Sequence, residues 1–534
     1  MTEYSRRPVA RIHVESRECS PQLLERLTGA TYFPERLLGP AIVNTVVRRG
    51  GHILYVTAPP MVDADEQVDY YLGLLTGGHG DGRDIERRDA RGRVRIVSLD
   101  DASSRWLSEK VLDPVSVQAA TARRALRDFV EVHQRAGADL RLSYFEASKP
   151  LEELARDLGV PGTQCSHVHI PTGTKHASRQ IFAAAGIPVP PGTAVCHSLG
   201  ELAAAAATLV RAGHNKLVLK LNSTAYGGGL GMALLTLDDV ATRASDETAV
   251  KLISEALPHA ALADAKLTWS DFARLVEESG VIAEAWIDDG PVHSPSFQGR
   301  LTEAGEALAI STHDQVLDVT GQSYTGCTFP ARADYRADLI DYGLRVGREL
   351  IERGVDSGEY GVDFLAVRGN TGWRLLGCEI NLRATATKHP FSMATGLLGA
   401  SPQPDGRLVV NGTEYVYRAS DSIMAARYRG LRPAQLIQAV THSPLAYDPV
   451  RGTGVALHML SPVVQHGKFG ALCIGTDHAQ AAELMRELVE LADGLVPRSP
   501  QRPLAKLNEY RSTHCRPPAQ PARNAQTTAD GSQQ

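Results

Sequence analysis

Asp363, Glu379, Asn381 and Arg383 have the types and spacing for metal and phosphate chemistry in this 534-residue chain. Glu379 and Asn381 stand two apart, so on a strand their side chains share a face. Asp363 joins them if residues 362–367 and 373–380, two alternating apolar runs, pair as an antiparallel hairpin. The turn Gly369-Asn370-Thr371-Gly372 between the runs has the residues such a hairpin needs. Two carboxylates and an amide offer only oxygen, the donor that hard Mg²⁺ prefers, usually together with substrate phosphates. Arg383 continues the row and sets a permanent positive charge beside the metal.

Further candidates lie upstream. Residues 216–221 (KLVLKL) read as a strand, and Lys220 inside that apolar run demands a partner, because an unpaired buried ammonium is costly. The strand leads into Asn222-Ser223-Thr224-Ala225-Tyr226-Gly227-Gly228-Gly229-Leu230-Gly231-Met232, where glycines let backbone N–H groups approach an anion. Their spacing fits neither a Walker loop nor a dinucleotide fingerprint. Lys175 sits in a helix expected over residues 171–185, stopped by Gly186-Ile187-Pro188. Residues 307–317 and 295–300 form a second hairpin that places Arg300 and Gln315 at a pocket wall. Ser311, His313 and Asp314 make no catalytic triad, since neighbours on a strand alternate faces. His167 and His169 lack further ligands for a metal.

The elements that must position these groups point to a multidomain α/β protein. The length exceeds one compact core, and 43% hydrophobic with 22% charged residues describes a soluble globular chain. A net charge of −5 gives no reason for nucleic acid or an anionic membrane as partner. No apolar run approaches a membrane span, no secretory signal is evident, and seven scattered cysteines read as reduced thiols, so a cytoplasmic location is expected. Up to residue 160, strand-like runs at 52–58, 94–99 and 140–145 alternate with helical stretches such as 115–136, which suggests a small parallel sheet. The glycine-rich run at 77–82 lacks a preceding strand, a following helix start and a P-loop lysine, so it reads as a loop. Residues 401–412 read as a linker or loop, 479–495 as an amphipathic helix, and 498–534 as a disordered tail.

The string Glu379-Ile380-Asn381-Leu382-Arg383, with the acid of Gly361-Val362-Asp363-Phe364 upstream, resembles the signature of ATP-grasp enzymes. With His389-Pro390-Phe391 following, it looks most like the carboxylate–amine ligases of the pheganomycin peptide ligase group. The resemblance covers residues 140 to 495 and implies a pre-ATP-grasp α/β domain over 1–160 and an ATP-grasp domain over 161–400, its lid about 205–285. Residues 401–497 would complete the substrate site. It further implies Mg²⁺, or Mn²⁺, on Asp363, Glu379 and Asn381. ATP phosphates would lie on Lys175, Lys220 and the flap Tyr226, Gly227, Gly228 and Gly229. Adenine would be read by Glu284 and the backbone near Ala285 and Ile287, and the ribose by Asp288 or Asp289. Arg383 and Lys220 would act on the transferred group. Biotin-carboxylase-like relatives carry an acid where this chain has Lys388, and no biotin-carrier motif is present, so biotin carboxylation is not expected. Lys388 or His389 would hold a substrate carboxylate, with Arg300 and Gln315 lining the pocket. The expected reaction joins a small-molecule carboxylate to an amino acid or peptide amine through an acyl phosphate. A phosphotransferase or a non-catalytic nucleotide-binding protein are the alternatives, and a homodimer is the common assembly of the superfamily.

Overall fold

Short hydrophobic strands separated by helices organise the first part of the chain into a parallel sheet. The structure is a computed structural model, described here for residues 7–15, 18–19, 24–25, 35–75, 81–224, 231–288, 290–317 and 324–496. Strands β1 (Val9–His13), β2 (His52–Thr57), β3 (Val94–Ser98) and β4 (Asp139–Ser143) run parallel in the order β3-β2-β1-β4. The interior strand β1 was not expected. Its arginine and histidine interrupt a five-residue run (VARIH) that carries too little hydrophobic signal alone. The helix Val117–Arg135, capped by Ser116, spans β3 to β4, and Lys149–Leu158 follows β4 with Ser148 as cap and Gly159 in the left-handed region at its end. A helix, Asp81–Gly92, begins within the run 77–82, where no helix start was anticipated, and the described element before it is the helix Ala64–Gly73; residues 77–80 lie outside the described residues.

A second, antiparallel sheet holds β5 (Lys216–Leu221), β6 (Met232–Thr236), β7 (Ala261–Leu262) and β8 (Val281–Ala285) in the order β7-β6-β5-β8. Leu202, Ala206, Val210, Ile253, Phe272 and Val276, from the helices Leu199–Arg211, Asp246–Ala256 and Trp269–Ser279, close one core with its strands.

The largest sheet is antiparallel. Strands β9 (Val292–His293), β10 (Pro295–Leu301), β11 (Ala307–Leu317), β12 (Tyr324–Phe329), β13 (Gly358–Gly369), β14 (Gly372–Asn381), β15 (Leu408–Val410), β16 (Thr413–Met424), β17 (Gly454–His458) and β18 (Lys468–Gly475) build it. The order is β14-β13-β10-β11-β12-β16-β18-β17, with β9 on β13 and β15 on β16. Residues beyond 400 therefore extend the sheet that carries the Asp363 hairpin. The third sheet also shares a core with the first region: Leu38, Val46 and Tyr71 pack with Phe329, Tyr417 and Leu472. That packing seats residues 35–47 against the C-terminal strands. No helix among the described residues is long and apolar enough to cross a membrane.

Candidate active site

The hairpin read from the sequence forms with Asp363 directly opposite Glu379. The register slips by one residue beside them: Asp363 pairs Glu379 while Phe364 pairs Gly377, which leaves Cys378 as the extra residue of a bulge. A bulge at this point re-aims the acid next to it. Asn381 Nδ2 donates to Asp363 Oδ2 at 3.1 Å and to Glu379 Oε1 at 3.2 Å, so the three oxygen-bearing groups converge. Gln315 Nε2 donates to Asp363 Oδ1 at 2.7 Å. Arg383 donates to Asn381 Oδ1 at 3.0 Å, closing the row.

Burial raises the Asp363 carboxyl, and the charge of Glu379 raises it further. Burial acts on Glu379 in the same direction, but Lys175, and after it Lys220, holds that carboxyl well below its ordinary value. The two acids thus share their site unequally, with Asp363 the one that takes a proton. A divalent cation removes that conflict, and the donor set of two carboxylates and an amide suits Mg²⁺. Among the described residues no group of three or more His, Cys, Asp or Glu could hold a metal. Asp363, Glu379 and Asn381 could supply half of an octahedral shell, with phosphates and water to complete it.

Two lysines face this pair. Lys175 is the first residue of the helix Lys175–Ala184, whose Thr174 cap accepts from the Ala177 amide. Its Nζ lies 2.5 Å from Glu379 Oε2. Two hydrogen bonds fix the helix start: His176 N donates to Asn222 Oδ1 (2.9 Å), and Ile380 N to Ser178 Oγ (3.1 Å). The residues 167–173 that precede it form a 3₁₀ turn, so the expected helix begins four residues late. In that turn His167 pairs with Glu152 at 2.8 Å and joins no metal group.

Lys220 has the partner its burial demands. Its Nζ lies 2.6 Å from Glu284 Oε2, while Arg179 Nη1 donates to Glu284 Oε1 at 2.6 Å and to the Pro190 carbonyl at 2.9 Å. Burial alone lowers the pKa of Lys220, yet Glu284 overrides it and holds the ammonium above the ordinary lysine range. Glu284 is 2% exposed and has both oxygens engaged. Its carboxylate therefore bridges Lys220 and Arg179. The amides of Ala285 and Trp286 are already donated to Pro191 and Lys216 carbonyls, and Ile287 lies just beyond the strand. Asp288 stands 3.5 Å from Lys216. Tyr226, Gly227, Gly228 and Gly229 of the flap, and Asp289, lie outside the described residues.

The remaining candidates separate into two places. Lys388 and Arg300 meet at Glu359, 2.8 and 3.6 Å away respectively. Glu359, Gly361 and Asp363 alternate along one face of β13, so this ion cluster and the acid pair lie on a common row. Gly361 keeps the row open: a Cβ there would run into Thr385, whose hydroxyl donates to Gln298 Oε1. His389, the next residue after Lys388, turns into the protein instead and is 2% exposed. His313 is fully buried with Nε2 2.6 Å from the Tyr417 hydroxyl, and Asp314 accepts from Tyr335 and Arg332, so the pair share no site.

Sequence reasoning did not find Arg179. The signal was present, because Arg179 follows Lys175 by four residues and shares its helix face. The contact of Gln315 with Asp363 and the stacking of Arg383 on Phe145, 6.0 Å from the ring centroid, depend on strand order and had no local signal.

The chain is 28% identical over 450 residues to the L-propargylglycine–L-glutamate ligase of Streptantibioticus cattleyicolor, across 82% of this chain and 85% of the relative. Residues 435–488 match the PGM1 C-terminal domain family. Among solved structures, Campylobacter jejuni biotin carboxylase in complex with β,γ-ATP aligns with a TM-score of 0.51 over 90% of both chains at 12% identity. The biotin carboxylase domain of Hydrogenobacter thermophilus 2-oxoglutarate carboxylase, crystallised with MgADP, ADP and bicarbonate, aligns with a TM-score of 0.50. It covers 91% of this chain and 90% of its own at 13% identity. These two likenesses concern the fold alone. The chain is thus similar over most of its length to a curated ligase, and it shares its fold with these two biotin carboxylase structures.

Proposed function

We propose that the enzyme joins a carboxylate to the amine of an amino acid or peptide, consuming ATP and releasing ADP and phosphate. The observation that carries this reading is the buried Asp363–Glu379 pair, bridged by Asn381 and flanked by Lys175, Lys220 and Arg383. It joins oxygen donors for a divalent ion to fixed positive charge for phosphates. Asp363, Glu379 and Asn381 would hold Mg²⁺, which neutralises phosphate charge as a Lewis acid, and Mn²⁺ accepts the same donors. Lys175 and Lys220 bind the ATP phosphates, with Glu284 and Arg179 setting the position of Lys220. Arg383 faces the group in transfer, where charge develops and a fixed donor lowers the barrier.

A free carboxylate does not acylate an amine at neutral pH, because its leaving group is poor. Attack of its oxygen on the γ-phosphorus breaks the bond to the β–γ bridging oxygen, forms an acyl phosphate and releases ADP. A neutral amine then attacks the acyl carbon and gives up a proton as the C–O bond breaks and phosphate departs. No enzyme nucleophile is required; positioning and charge carry the reaction. The relative is named for L-propargylglycine and L-glutamate, so amino acids are the substrates to try first. On this reading the sheet of β5–β8 belongs to the lid, the parallel sheet walls the cleft, and residues 401–497 complete it. A homodimer, as in the Hydrogenobacter domain, would be read by light scattering.

The test is ADP release from purified protein with Mg·ATP and pooled carboxylates, with and without pooled amino acids and peptides, Glu379→Gln serving as the blank. A product lighter by one water than acid plus amine, formed with equal ADP and phosphate, is expected. ADP with a stable phosphorylated product would make the protein a phosphotransferase and overturn the ligase reading.

A further inference from the structure

The largest sheet carries a cavity that the reaction above does not use. Its volume is about 320 Å³, and it lies beside the helix His478–Gly494 where that helix packs on β16. Val316 of β11, Gly326 of β12 and Arg418 of β16 line its floor. Their strand neighbours Gln315 and Tyr417 alternate to the other face, where Gln315 reaches Asp363 and Tyr417 meets His313. The sheet therefore stands between this cavity and the acid pair. No larger residue fits at Gly326, where a Cβ would strike the Ala419 carbonyl oxygen, so the floor stays bare. Register shifts in β16 between Ser420 and Ile423, an irregularity that re-aims the side chains beside it. Ile423 and Met424 of the strand, with Met485 and Val489 of the helix, supply apolar walls.

Charge in the cavity has one sign. Arg418 and Arg427 line it, and no acid does. Arg427 is answered by Asp493 at 2.6 Å, a carboxylate that also accepts from the Tyr428 hydroxyl. Arg418 differs. Its partners across the sheet are Thr328 and Cys473, neither of them acidic. Among the described residues its guanidinium has no ion pair. Two serines complete the lining. Ser420 has spent its hydroxyl on the Thr325 carbonyl at 2.7 Å, whereas the Ser422 hydroxyl, also at the cavity, has no such bond among the described residues.

We infer that this cavity is a ligand site for a small monoanion with an apolar body, an aliphatic carboxylate in the simplest case, separate from the site of bond formation. The planar fork of Arg418 matches the two oxygens of a carboxylate. The two methionines, Ile423 and Val489 cover the chain behind it, and methionine adapts to chains of differing shape. At about 320 Å³ the space stands at the lower end of ligand cavities, which limits the occupant to a small molecule. With the sheet between it and Asp363, such a ligand is no reactant. Its link to the acid pair is β11, where Val316 in the floor adjoins Gln315, the residue that donates to Asp363. The inference stands on the cavity and its charge and is independent of the ligase reading.

The test uses the full chain carrying methyl-labelled methionine, with hexanoate as the probe against chloride at matched ionic strength. The methyl resonances of Met424 and Met485, identified with Met424→Leu and Met485→Leu, should shift and saturate together. Met393, buried in the core, should not move. Hexanamide lacks the charge and acetate lacks the chain, and each should bind at least about tenfold more weakly than hexanoate. Arg418→Met should weaken hexanoate by at least about tenfold. Met424 is 56% exposed, so Met424→Glu sets a like charge at the mouth without touching the core, and should weaken hexanoate about fivefold or more at the Met485 methyl. Arg383→Met removes the cation beside the acid pair and should leave the hexanoate affinity unchanged. Absence of a saturable shift at the two methyls, equal binding of hexanamide, or wild-type affinity in either folded cavity variant overturns the site. Loss of binding in Arg383→Met with retention in Arg418→Met would put the anion at the acid pair and overturns it as well.

Discussion

Two polar clusters meet one phenylalanine, Phe145, through Arg383 and Arg36. Around Asp363 the acids come first and the cations Lys175, Lys220 and Arg383 answer them; around Arg36 the bases come first and Asp421 answers. In the first, burial and the neighbouring carboxylate set the two acids in conflict, which suits a divalent cation. In the second, Arg36 and Asp421 pair with each other inside the protein.

The comparison breaks most sharply at Glu379. Glu379→Gln removes the acid that Lys175 compensates and should cut ADP-forming turnover by roughly 10²–10³-fold or more, with the fold retained. The loss should lie in kcat with nucleotide binding weakened. Retained turnover in a folded variant would deny the Asp363–Glu379 pair its place in the chemistry.

How much of this was legible follows chain distance. The Asp363 hairpin closes through a four-residue turn, so alternation and glycine placement were enough to read it. Lys175 and Lys220 carried local signals as well, one at a helix start and one inside an apolar strand. The parallel sheet was legible without β1, whose five residues hold two basic side chains. The second cluster was not legible, because Arg36, His389, Asp421, His458 and Lys468 come from five elements that only the sheet order unites. Lys388 and His389, named as alternatives for a substrate carboxylate, diverge in the fold, one side chain to Glu359 and the other to His458. The role expected of Glu284 at adenine had no way to anticipate Arg179, which takes its second oxygen.

Below Glu379 in size comes the Lys220–Glu284–Arg179 network. Glu284→Gln leaves two cations near a carboxamide and should cost about 3–5 kcal/mol of stability, the scale for breaking a buried pair. Lys220→Met leaves Glu284 its bond to Arg179 and should cost less, about 1–3 kcal/mol. Urea unfolding midpoints decide the order. If Lys220→Met proves the more damaging to the fold, Glu284 does not orient the lysine in the way the geometry implies.

A smaller effect sharpens the contrast between acids. The Asp363 carboxyl is raised in the folded state, so its contribution to stability is complete below its unfolded pKa and is lost as pH rises through the folded value. Glu379 is lowered, so its contribution is present above its unfolded pKa and is lost as pH falls through the folded value. Asp363→Asn should therefore become more stable than the wild type as pH rises past neutral in EDTA, by about 1–2 kcal/mol. Mg²⁺ with nucleotide should reverse that order. A pH-independent difference would show that Asp363 does not carry the conflict between the two carboxylates.

The smallest expected change concerns Lys388. Lys388 is held by Glu359 on the partly open row with Arg300, whereas Lys468 is buried within the basic cluster. Removing a cation whose partner stays partly solvated costs little, on the order of 0.5–1 kcal/mol. Lys388→Met should thus shift the KM of either substrate only about 2–5-fold, which steady-state kinetics would read directly. A rise of about 30-fold or more in the KM of one substrate would instead place its carboxylate on the row beside Glu359.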